Sequence, residues 1–345
     1  MNSQKDSVSI IIPLYKVELY IEECVRSVIA QTYPHLHVVL VDDCGGDASL
    51  SIAESLLRAS HVSWSSISHE KNRGAGAARN SGLATISSEY FFFLDGDDII
   101  APDCIELLVA KAKQSGAVMV YGNYMNLIDG KFEAGFGTRA PSDYLEFDPV
   151  KAYMNGGASS IDCNRLLSSE WYHATGVKFL EGCVREDEIW SLALSVRCPK
   201  IEYVENITYY YRQRPGSVMT SPANETLRLE AQLLRLHEAQ KEAEMFPKKV
   251  PSDFYLWHNT LLRQTLAQIK GSSVNRVKWV KRALACAWLP SSVSISSIPY
   301  PELRFFYRFR TVLSDYWAYF IGCKLMGMMR KFGSALENPS NVEGR

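Results

Sequence analysis

Three carboxylates occupy four consecutive positions in the segment Asp95-Gly96-Asp97-Asp98. They directly follow residues 90–94, an unbroken aromatic and aliphatic run that is typical of a strand buried on both faces. Carboxylates this close repel one another unless a positive charge lies between them. A hard divalent cation such as Mg²⁺ or Mn²⁺, which prefers oxygen ligands, fits that position. The pattern therefore predicts a site for a metal-bound anion, with a diphosphate as the leading candidate.

A second acidic pair, Asp42-Asp43, ends another short apolar run at residues 36–41. If both runs are parallel strands of one sheet, both acidic clusters lie at the same edge, where open α/β sheets bind their ligands. The alternative is that these carboxylates only cap the turns or helices that follow them.

Arg79 follows the small-residue run Gly74-Ala75-Gly76-Ala77-Ala78. The run lacks the third glycine of a dinucleotide fingerprint, and residues 66–71 before it are too polar for a buried strand. A helix that starts with small residues would let its backbone and Arg79 approach an anion closely. A tightly packed helix is the competing explanation.

Two further charged segments are candidates for the site. Glu186-Asp187 opens a predicted helix, where carboxylates often do no more than complement the helix dipole. Arg212 and Arg214 end a tyrosine-rich strand, and arginine side chains suit phosphate oxygens. A solvated strand end would explain these two arginines equally well.

The elements that must position these residues alternate between strand and helix through the first third of the chain. This alternation predicts an α/β fold with a mostly parallel sheet between helices and right-handed crossovers. Residues 123–182 are less regular and are expected to form loops around a site. Residues 201–204 and 207–212 predict two strands that are joined by a short turn at Glu205-Asn206.

From about residue 226 onward the pattern is helical throughout. We therefore expect an α/β domain of residues 1–220, a boundary near Ser221 and an all-helical C-terminal region of residues 221–345.

Bulk composition narrows the class of protein. The chain has 345 residues, 47% of them hydrophobic, and a formal net charge of -1, so no basic field indicates nucleic acid as a partner. Its 8 cysteines include no CxxC pair, which favours free thiols in a reducing cytosol. No charge-free apolar run reaches the ~20 residues that span a bilayer, and no signal peptide is evident. A cytoplasmic protein is expected.

Five motifs in order resemble one known family. They are Ile11-Ile12-Pro13-Leu14-Tyr15, Val41-Asp42-Asp43 through Asp47-Ala48-Ser49, Asn72-Arg73-Gly74 through Ala78-Arg79-Asn80, Phe93-Leu94-Asp95-Gly96-Asp97-Asp98, and Glu186-Asp187-Glu188-Ile189-Trp190. This order is similar to that of the family 2 glycosyltransferases, which have the GT-A fold, over roughly the first 220 residues. The later segment of residues 212–220 resembles the members that build bacterial capsule, O-antigen and exopolysaccharide.

The resemblance implies a donor site for a nucleoside diphosphate sugar, with UDP favoured. Asp95 and Asp97 would hold Mg²⁺ or Mn²⁺ against the diphosphate, and Asp98 would support them. The other implied donor contacts are Pro13 and Tyr15 beside the base, Asp42 or Asp43 on the uracil N–H, Arg79 on the nucleotide, and Arg212 and Arg214 over the diphosphate.

The resemblance also implies inverting transfer of a hexosyl or N-acetylhexosaminyl group. Asp187 would be the general base that takes the proton from the acceptor hydroxyl, with Glu186 in a supporting role. The acceptor would be a glycan or lipid-linked oligosaccharide of the bacterial surface.

The segment of residues 304–331 is aromatic, rich in methionine and basic. It could lie on an anionic membrane, with aromatic side chains inserted and basic residues at the headgroups. This would make the protein peripheral at the cytoplasmic face of the inner membrane. A helix packed onto the protein, or a dimer contact, is the alternative.

Two other functions compete with sugar transfer. A sugar-phosphate nucleotidyltransferase would carry a glycine-rich signature after the first strand, where Pro13-Leu14-Tyr15-Lys16 stands instead. A non-catalytic carbohydrate- or metal-binding module would not need the Glu186-Asp187 pair, and residues 95–98 lack the glycine and distal glutamate of an EF-hand loop.

Overall fold

A computed structural model of the chain describes residues 4–134, 149–154, 162–213, 225–245, 252–272, 274–289, 294–309, 319–320 and 322–324. The chain divides into two compact units, Met1–Asn224 and Glu225–Arg345. Ser221, the predicted boundary, lies outside the described residues. Each unit is described below by itself.

The first unit contains a sheet with helices between its strands. Its strands are β1 Gln4–Leu14, β2 Leu36–Asp42, β3 Ser63–Ser68, β4 Ser88–Phe93, β5 Ile99–Ile100, β6 Met119–Ile128, β7 Lys131–Ala134, β8 Arg165–Ser168 and β9 Ile201–Gln213. Its helices are α1 Ile21–Ile29, α2 Ser49–Arg58, α3 Ala75–Leu83, α4 Cys104–Ser115, α5 Pro149–Met154, α6 Ser169–Thr175 and α7 Glu186–Arg197.

The sheet runs in the order β3-β2-β1-β4-β8-β6-β9-β5, and β7 pairs with β6. The pairings make β1, β2, β3, β4, β6 and β9 run in one direction, so the sheet described here is mostly parallel. This arrangement confirms the predicted α/β class. β1 lies between β2 and β4, and therefore the carboxyl ends of β2 and β4 flank it at a common edge.

The central strands are covered on both faces. Ile10, Ile11 and Ile12 are consecutive residues of β1 and all are fully buried, which requires packing above and below the sheet. On one side α3 packs very closely. A side chain at Gly82 would bring its Cβ within 2.5 Å of Ile11 Cγ2, and one at Gly76 within 2.8 Å of the Leu180 carbonyl oxygen. Close packing therefore requires the small residues of α3, which agrees with the explanation of this segment as a tightly packed helix.

Two sequence expectations about the first unit were wrong. Residues 201–213 form one strand, β9, because a shift in its pairing with β6 absorbs the exposed Glu205-Asn206. Part of residues 123–182 is regular, since β6 continues to Ile128 and pairs with both β7 and β8. A third expectation is confirmed: the polar segment before α3 contains no buried strand, because β3 is a partly exposed edge strand that tolerates serine.

The second unit is helical in its described residues. Its helices are α8 Glu225–Ala243, α9 Ser252–Gly271, α10 Arg276–Ala285 and α11 Pro301–Phe309. They surround a separate apolar core to which all four helices contribute. In α11, Leu303, Phe306 and Tyr307 belong to that core, while Arg304 and Arg308 are exposed. The core of this unit therefore buries Phe306 and Tyr307. Most of residues 304–331 lies outside the described residues, and membrane association of this segment stays a prediction.

Within the described parts of the chain, no helix combines the length and the apolar character that crossing a bilayer requires.

The second unit buries one histidine completely. The Nε2 atom of His258 lies 3.0 Å from the Leu236 carbonyl oxygen, and Nδ1 has no hydrogen-bond partner among the described residues. Burial lowers the pKa of His258 to about 4, against the hydrogen bond to Leu236, which raises it. The ring is therefore neutral in the folded protein at pH 7.

This lowered pKa predicts acid-sensitive stability. The unfolded chain binds a proton at His258 near pH 6.5, whereas the folded chain resists it down to about pH 4, so stability is lost as the pH falls between these values. We expect His258 alone to lower the free energy of unfolding by roughly 3 kcal/mol over this range. Urea unfolding at several pH values checks this.

The His258→Gln variant should lose most of this pH dependence. The variant His237→Gln, which changes an exposed histidine of α8, should keep the wild-type dependence. An unchanged pH dependence in His258→Gln would contradict the interpretation.

Candidate active site

A single buried arginine connects the candidate residues. Arg79 lies on α3 and is only 4% exposed. Its Nη2 donates to Asp95 Oδ1 at 2.8 Å and its Nη1 donates to Glu186 Oε1 at 3.0 Å, while Nε forms an ion pair with Asp162 Oδ2 at 2.5 Å. We call Arg79 and these three carboxylates the Arg79 cluster. It joins the end of β4, the start of α7 and the segment before β8.

Aromatic rings and a tethered loop enclose this guanidinium. The rings of Phe93 and Phe179 lie 5.9 and 5.6 Å from its central carbon, and Phe179 in turn stacks on Trp190 of α7. Asn80, beside Arg79, exchanges two hydrogen bonds with the backbone of Phe179. Few conformations are open to Arg79 in such surroundings, so the carboxylates it binds are held in fixed positions.

Burial and charge compete within the Arg79 cluster. Burial acts to lower the pKa of Arg79, but Asp162, Asp95 and Glu186 together raise it well above its usual value. Burial raises the pKa of both Asp162 and Glu186, and the neighbouring Arg79 opposes that rise. Arg79 is therefore charged at any working pH, while the carboxylates around it are more basic than in water.

Asp187 lies in the first turn of α7, directly after Glu186 of the Arg79 cluster. Burial raises its pKa well above the usual value, and the charges of Asp162, Glu186 and Glu188 raise it further, whereas Arg79 lowers it. Among the described residues its carboxylate has no hydrogen-bond partner. A carboxylate with these properties can accept a proton from a molecule bound in front of it.

Asp98 has a different environment from its neighbours. It is 1% exposed and accepts hydrogen bonds from the Tyr209 hydroxyl at 2.6 Å and from the Arg212 backbone N–H at 2.7 Å. Burial raises its pKa well above the usual value, and the charges of Asp97 and Asp95 add to this. Asp98 thus connects the end of β9 to residues 95–98, which we call the acidic loop.

Arg212 reinforces the same connection. Its Nε donates to the Asp97 carbonyl oxygen at 2.8 Å, its Nη2 pairs with Glu23, and it lies over the Tyr20 ring. Arg214 lies outside the described residues.

Asp95 and Asp97 are the candidate metal ligands, and neither is fully buried. No group of three or more histidine, cysteine or acidic side chains in the described ranges is arranged to hold a metal ion. Mg²⁺ is commonly bound by only one or two carboxylates, with substrate phosphates completing its shell. A pair of accessible carboxylates beside the buried Asp98 provides the all-oxygen donor set that a hard cation prefers, so the residues present fit such an ion.

The other acidic pair lies at the edge formed by β1 and β2. Asp43 is 2% exposed and accepts hydrogen bonds from the backbone N–H groups of Arg73 at 2.8 Å and Gly74 at 2.7 Å. It also lies 2.7 Å from His69 Nδ1. Asp43 therefore fixes the segment that leads into α3, the helix that carries Arg79.

Asp42 is more accessible than Asp43, and its Oδ1 accepts from the Gly45 backbone N–H at 3.3 Å. Pro13 lies within β1, opposite Val41, and Tyr15 just beyond that strand is 43% exposed. These residues leave an accessible surface at the same sheet edge.

Two residues of this site were not found from the sequence. Asp162 precedes the short strand β8 in an irregular stretch, and no motif distinguishes it from a surface aspartate. Tyr209 is one of three consecutive tyrosines, and only the alternation of β9 determines that it faces Asp98. The period-two rule could have identified Tyr209, whereas nothing in the sequence could have identified Asp162.

Comparison with known proteins identifies the class. Residues 9–175 match the model of the family described as "Glycosyl transferase family 2". The chain is 26% identical over 253 residues to the glycosyltransferase GlyG of Streptococcus pneumoniae serotype 4, covering 70% of this chain and 79% of GlyG. It spans 31% to 63% of the length of three further proteins named as glycosyltransferases.

Solved structures agree on the fold. Residues 1–349 of S. aureus TarS, crystallised with UDP-GlcNAc, align with a TM-score of 0.69 at 19% identity, covering 91% of this chain and 89% of that one. The mannosyltransferase PcManGT of Pyrobaculum calidifontis, in complex with GDP-Man and Mn²⁺, aligns with a TM-score of 0.53 at 16% identity, covering 96% and 90%.

Residues 9–175 of the first unit therefore match the family 2 glycosyltransferases, and the fold is GT-A. This match favours sugar transfer over the nucleotidyltransferase and the non-catalytic binding module.

Proposed function

We propose that the protein transfers a sugar from a nucleoside diphosphate sugar, with UDP as the favoured nucleotide, to an acceptor hydroxyl with inversion at the anomeric carbon. One observation carries this proposal. Asp187 lies in the same unit as the matched residues 9–175 and combines a strongly raised pKa with a carboxylate that has no hydrogen-bond partner among the described residues. The Arg79 cluster connects its neighbour Glu186 to Asp95 at the end of β4.

The donor nucleotide would bind along the edge formed by β1, β2 and β4. Pro13 and Tyr15 would line the base pocket, and either Asp42 or Asp43 would accept a hydrogen bond from the uracil N–H. The exposure of Tyr15 and Asp42 supports this position. The fold likeness to TarS, a protein crystallised with UDP-GlcNAc, supports UDP as the nucleotide.

The diphosphate would lie against the acidic loop. Asp95 and Asp97 would hold Mg²⁺ or Mn²⁺, which would supply positive charge to the leaving diphosphate. The Mn²⁺ complex of PcManGT is in keeping with this assignment. Asp98, fixed by Tyr209, would support the two ligands, and Arg212 and Arg214 would close over the phosphates.

Arg79 would act beneath the substrates. Its contacts with Asp95 and Glu186 support the role of securing the carboxylates. Direct contact between Arg79 and the nucleotide stays a prediction.

Sugar transfer would then need one proton acceptor. Asp187 would take the proton of the acceptor hydroxyl as that oxygen attacks the anomeric carbon from the side opposite the diphosphate. The new C–O bond forms while the bond from the anomeric carbon to the phosphate oxygen breaks, and its electron pair leaves with the diphosphate. Burial makes Asp187 a stronger base than a carboxylate in water, and positioned bases contribute ~10²–10⁴-fold to rates.

The acceptor would be a hydroxyl of a growing bacterial surface glycan, which we propose to be lipid-linked. Such an acceptor would bring the protein to the cytoplasmic face of the inner membrane. The exposed Arg304 and Arg308 of α11 could contact anionic headgroups there.

The base assignment predicts that Asp187→Asn binds the donor nucleotide normally but loses transfer by about 10²-fold or more, because the amide cannot take a proton. Initial rates with a donor and acceptor pair, together with calorimetric titration of UDP, measure the two properties separately. Glu170→Gln neutralises an exposed first-turn carboxylate of α6 and should leave both unchanged. Transfer by Asp187→Asn within a few-fold of wild type would show that another group is the base.

The metal assignment predicts that Asp97→Ala lowers nucleotide affinity by tenfold or more in the presence of Mn²⁺, because the bridge to the diphosphate loses a ligand. Calorimetry with UDP, with and without Mn²⁺, tests this. Asp103→Ala, which removes a nearby carboxylate that makes no side-chain cap, is the matched control. Equal Mn²⁺-dependent affinity in Asp97→Ala and wild type would remove Asp97 from the metal site.

A further inference from the structure

Asp162 is a buried carboxylate with an unusual relation to Arg79. It is 2% exposed and lies just before β8. Its Oδ2 lies 2.5 Å from Arg79 Nε, yet neither atom has a hydrogen-bond partner by geometry among the described residues. The contact is therefore an ion pair, and what Asp162 contributes there is negative charge more than a directed hydrogen bond.

This charge is not needed to neutralise Arg79. Asp95 and Glu186 already bind the other two nitrogens of the guanidinium. A further buried carboxylate carries a desolvation penalty, and the charges of Arg79 and Arg165 offset it only in part, since the pKa of Asp162 is still raised. A requirement of the chemistry explains the presence of Asp162 better than a requirement of stability does.

We propose that Asp162 is a positioning residue for proton transfer, whose charge, delivered beside Arg79 at the start of α7, makes Asp187 a stronger base. The inference rests on the proposed role of Asp187 as the base. Asp162 itself touches neither the substrates nor the reacting atoms in this proposal, and it acts on the reaction through Arg79 and Asp187.

The charges around Asp187 support this role. After burial, Asp162 is the largest influence that raises the pKa of Asp187. The titratable and charged groups that face Asp187 are Glu186 and Glu188 on its own helix, Asp162 before β8, Arg165 on β8, Arg79 on α3 and Cys183 before α7. The charge of Arg79 lowers the pKa of Asp187 and so weakens it as a base, whereas the charge of Asp162 raises that pKa.

The proposal predicts the direction in which the pKa of Asp187 changes when Asp162 is replaced. A base works best when its pKa lies near the operating pH. Replacing Asp162 by a neutral residue removes a negative charge, so the pKa of Asp187 should fall. The acid limb of the rate profile, where Asp187 becomes protonated, should then move to lower pH while the rate on the plateau decreases.

The experiment is the pH dependence of kcat/KM for Asp162→Asn, which keeps the side-chain shape and removes the charge. We expect the acid limb to move down by about one pH unit and the plateau rate to fall by about 3- to 10-fold. Asp162→Glu keeps the charge and should retain the wild-type limb. Asp162→Ser is a second neutral variant in case the asparagine variant does not fold.

Glu181→Gln is the matched control, since it neutralises an exposed carboxylate that pairs with Arg73 and accepts from Asn80, and Glu181 is not among the charges that shift the pKa of Asp187. Its acid limb should coincide with that of wild type. Thermal unfolding of each variant separates a loss of stability from a loss of the effect that Asp162 has on the pKa of Asp187. Lower stability with an unmoved acid limb in the neutral variants would overturn the proposal.

Asp187→Asn separates failure of this inference from failure of the proposed base. If Asp187→Asn retains transfer, Asp187 is not the base, and the proposed role of Asp162 falls with it. If Asp187→Asn is inactive and the neutral Asp162 variants keep the wild-type acid limb, the base stands and only the role of Asp162 is wrong.

Discussion

The buried guanidinium of Arg79 is the interaction on which the site depends. It binds three carboxylates that come from separate parts of the chain, and two aromatic rings enclose it. Loss of one partner from a buried ion pair typically costs about 3–5 kcal/mol, because an uncompensated charge stays buried. Here the loss of Arg79 would leave Asp95, Asp162 and Glu186 facing one another, so its charge is a condition for the site to form.

The fold supplies this arginine through close packing. Gly76 and Gly82 let α3 lie against the sheet on one side and against the backbone at Leu180 on the other. Asp43 holds the segment before α3, so the acidic pair at the end of β2 also determines where Arg79 lies. The sheet order brings β2 and β4 to either side of β1, and hence both acidic clusters meet at one edge. The residues that pack and hold α3 are therefore also the ones that position Arg79 for the proposed chemistry.

Local patterns in the sequence were sufficient to predict much of this arrangement. The apolar runs that become β1, β2 and β4, and the carboxylates that follow β2 and β4, depend on neighbours in sequence. The three carboxylates of the Arg79 cluster come from residues 95, 162 and 186, and such convergence depends on tertiary packing. Asp162 was missed for this reason. The division of β9 into two strands failed similarly, since pairing with β6 outweighs the polar Glu205-Asn206.

The central claim is that the guanidinium of Arg79 holds Asp95, at the end of β4, and Glu186, at the start of α7, together. A double-mutant cycle on the free energy of unfolding, with Asp95→Asn, Glu186→Gln and the double variant, measures this directly. Because both side chains share Arg79, we predict a coupling energy of about 0.5–3 kcal/mol between them. Effects that add within about 0.3–0.5 kcal/mol, as expected for independent sites, would contradict the claim.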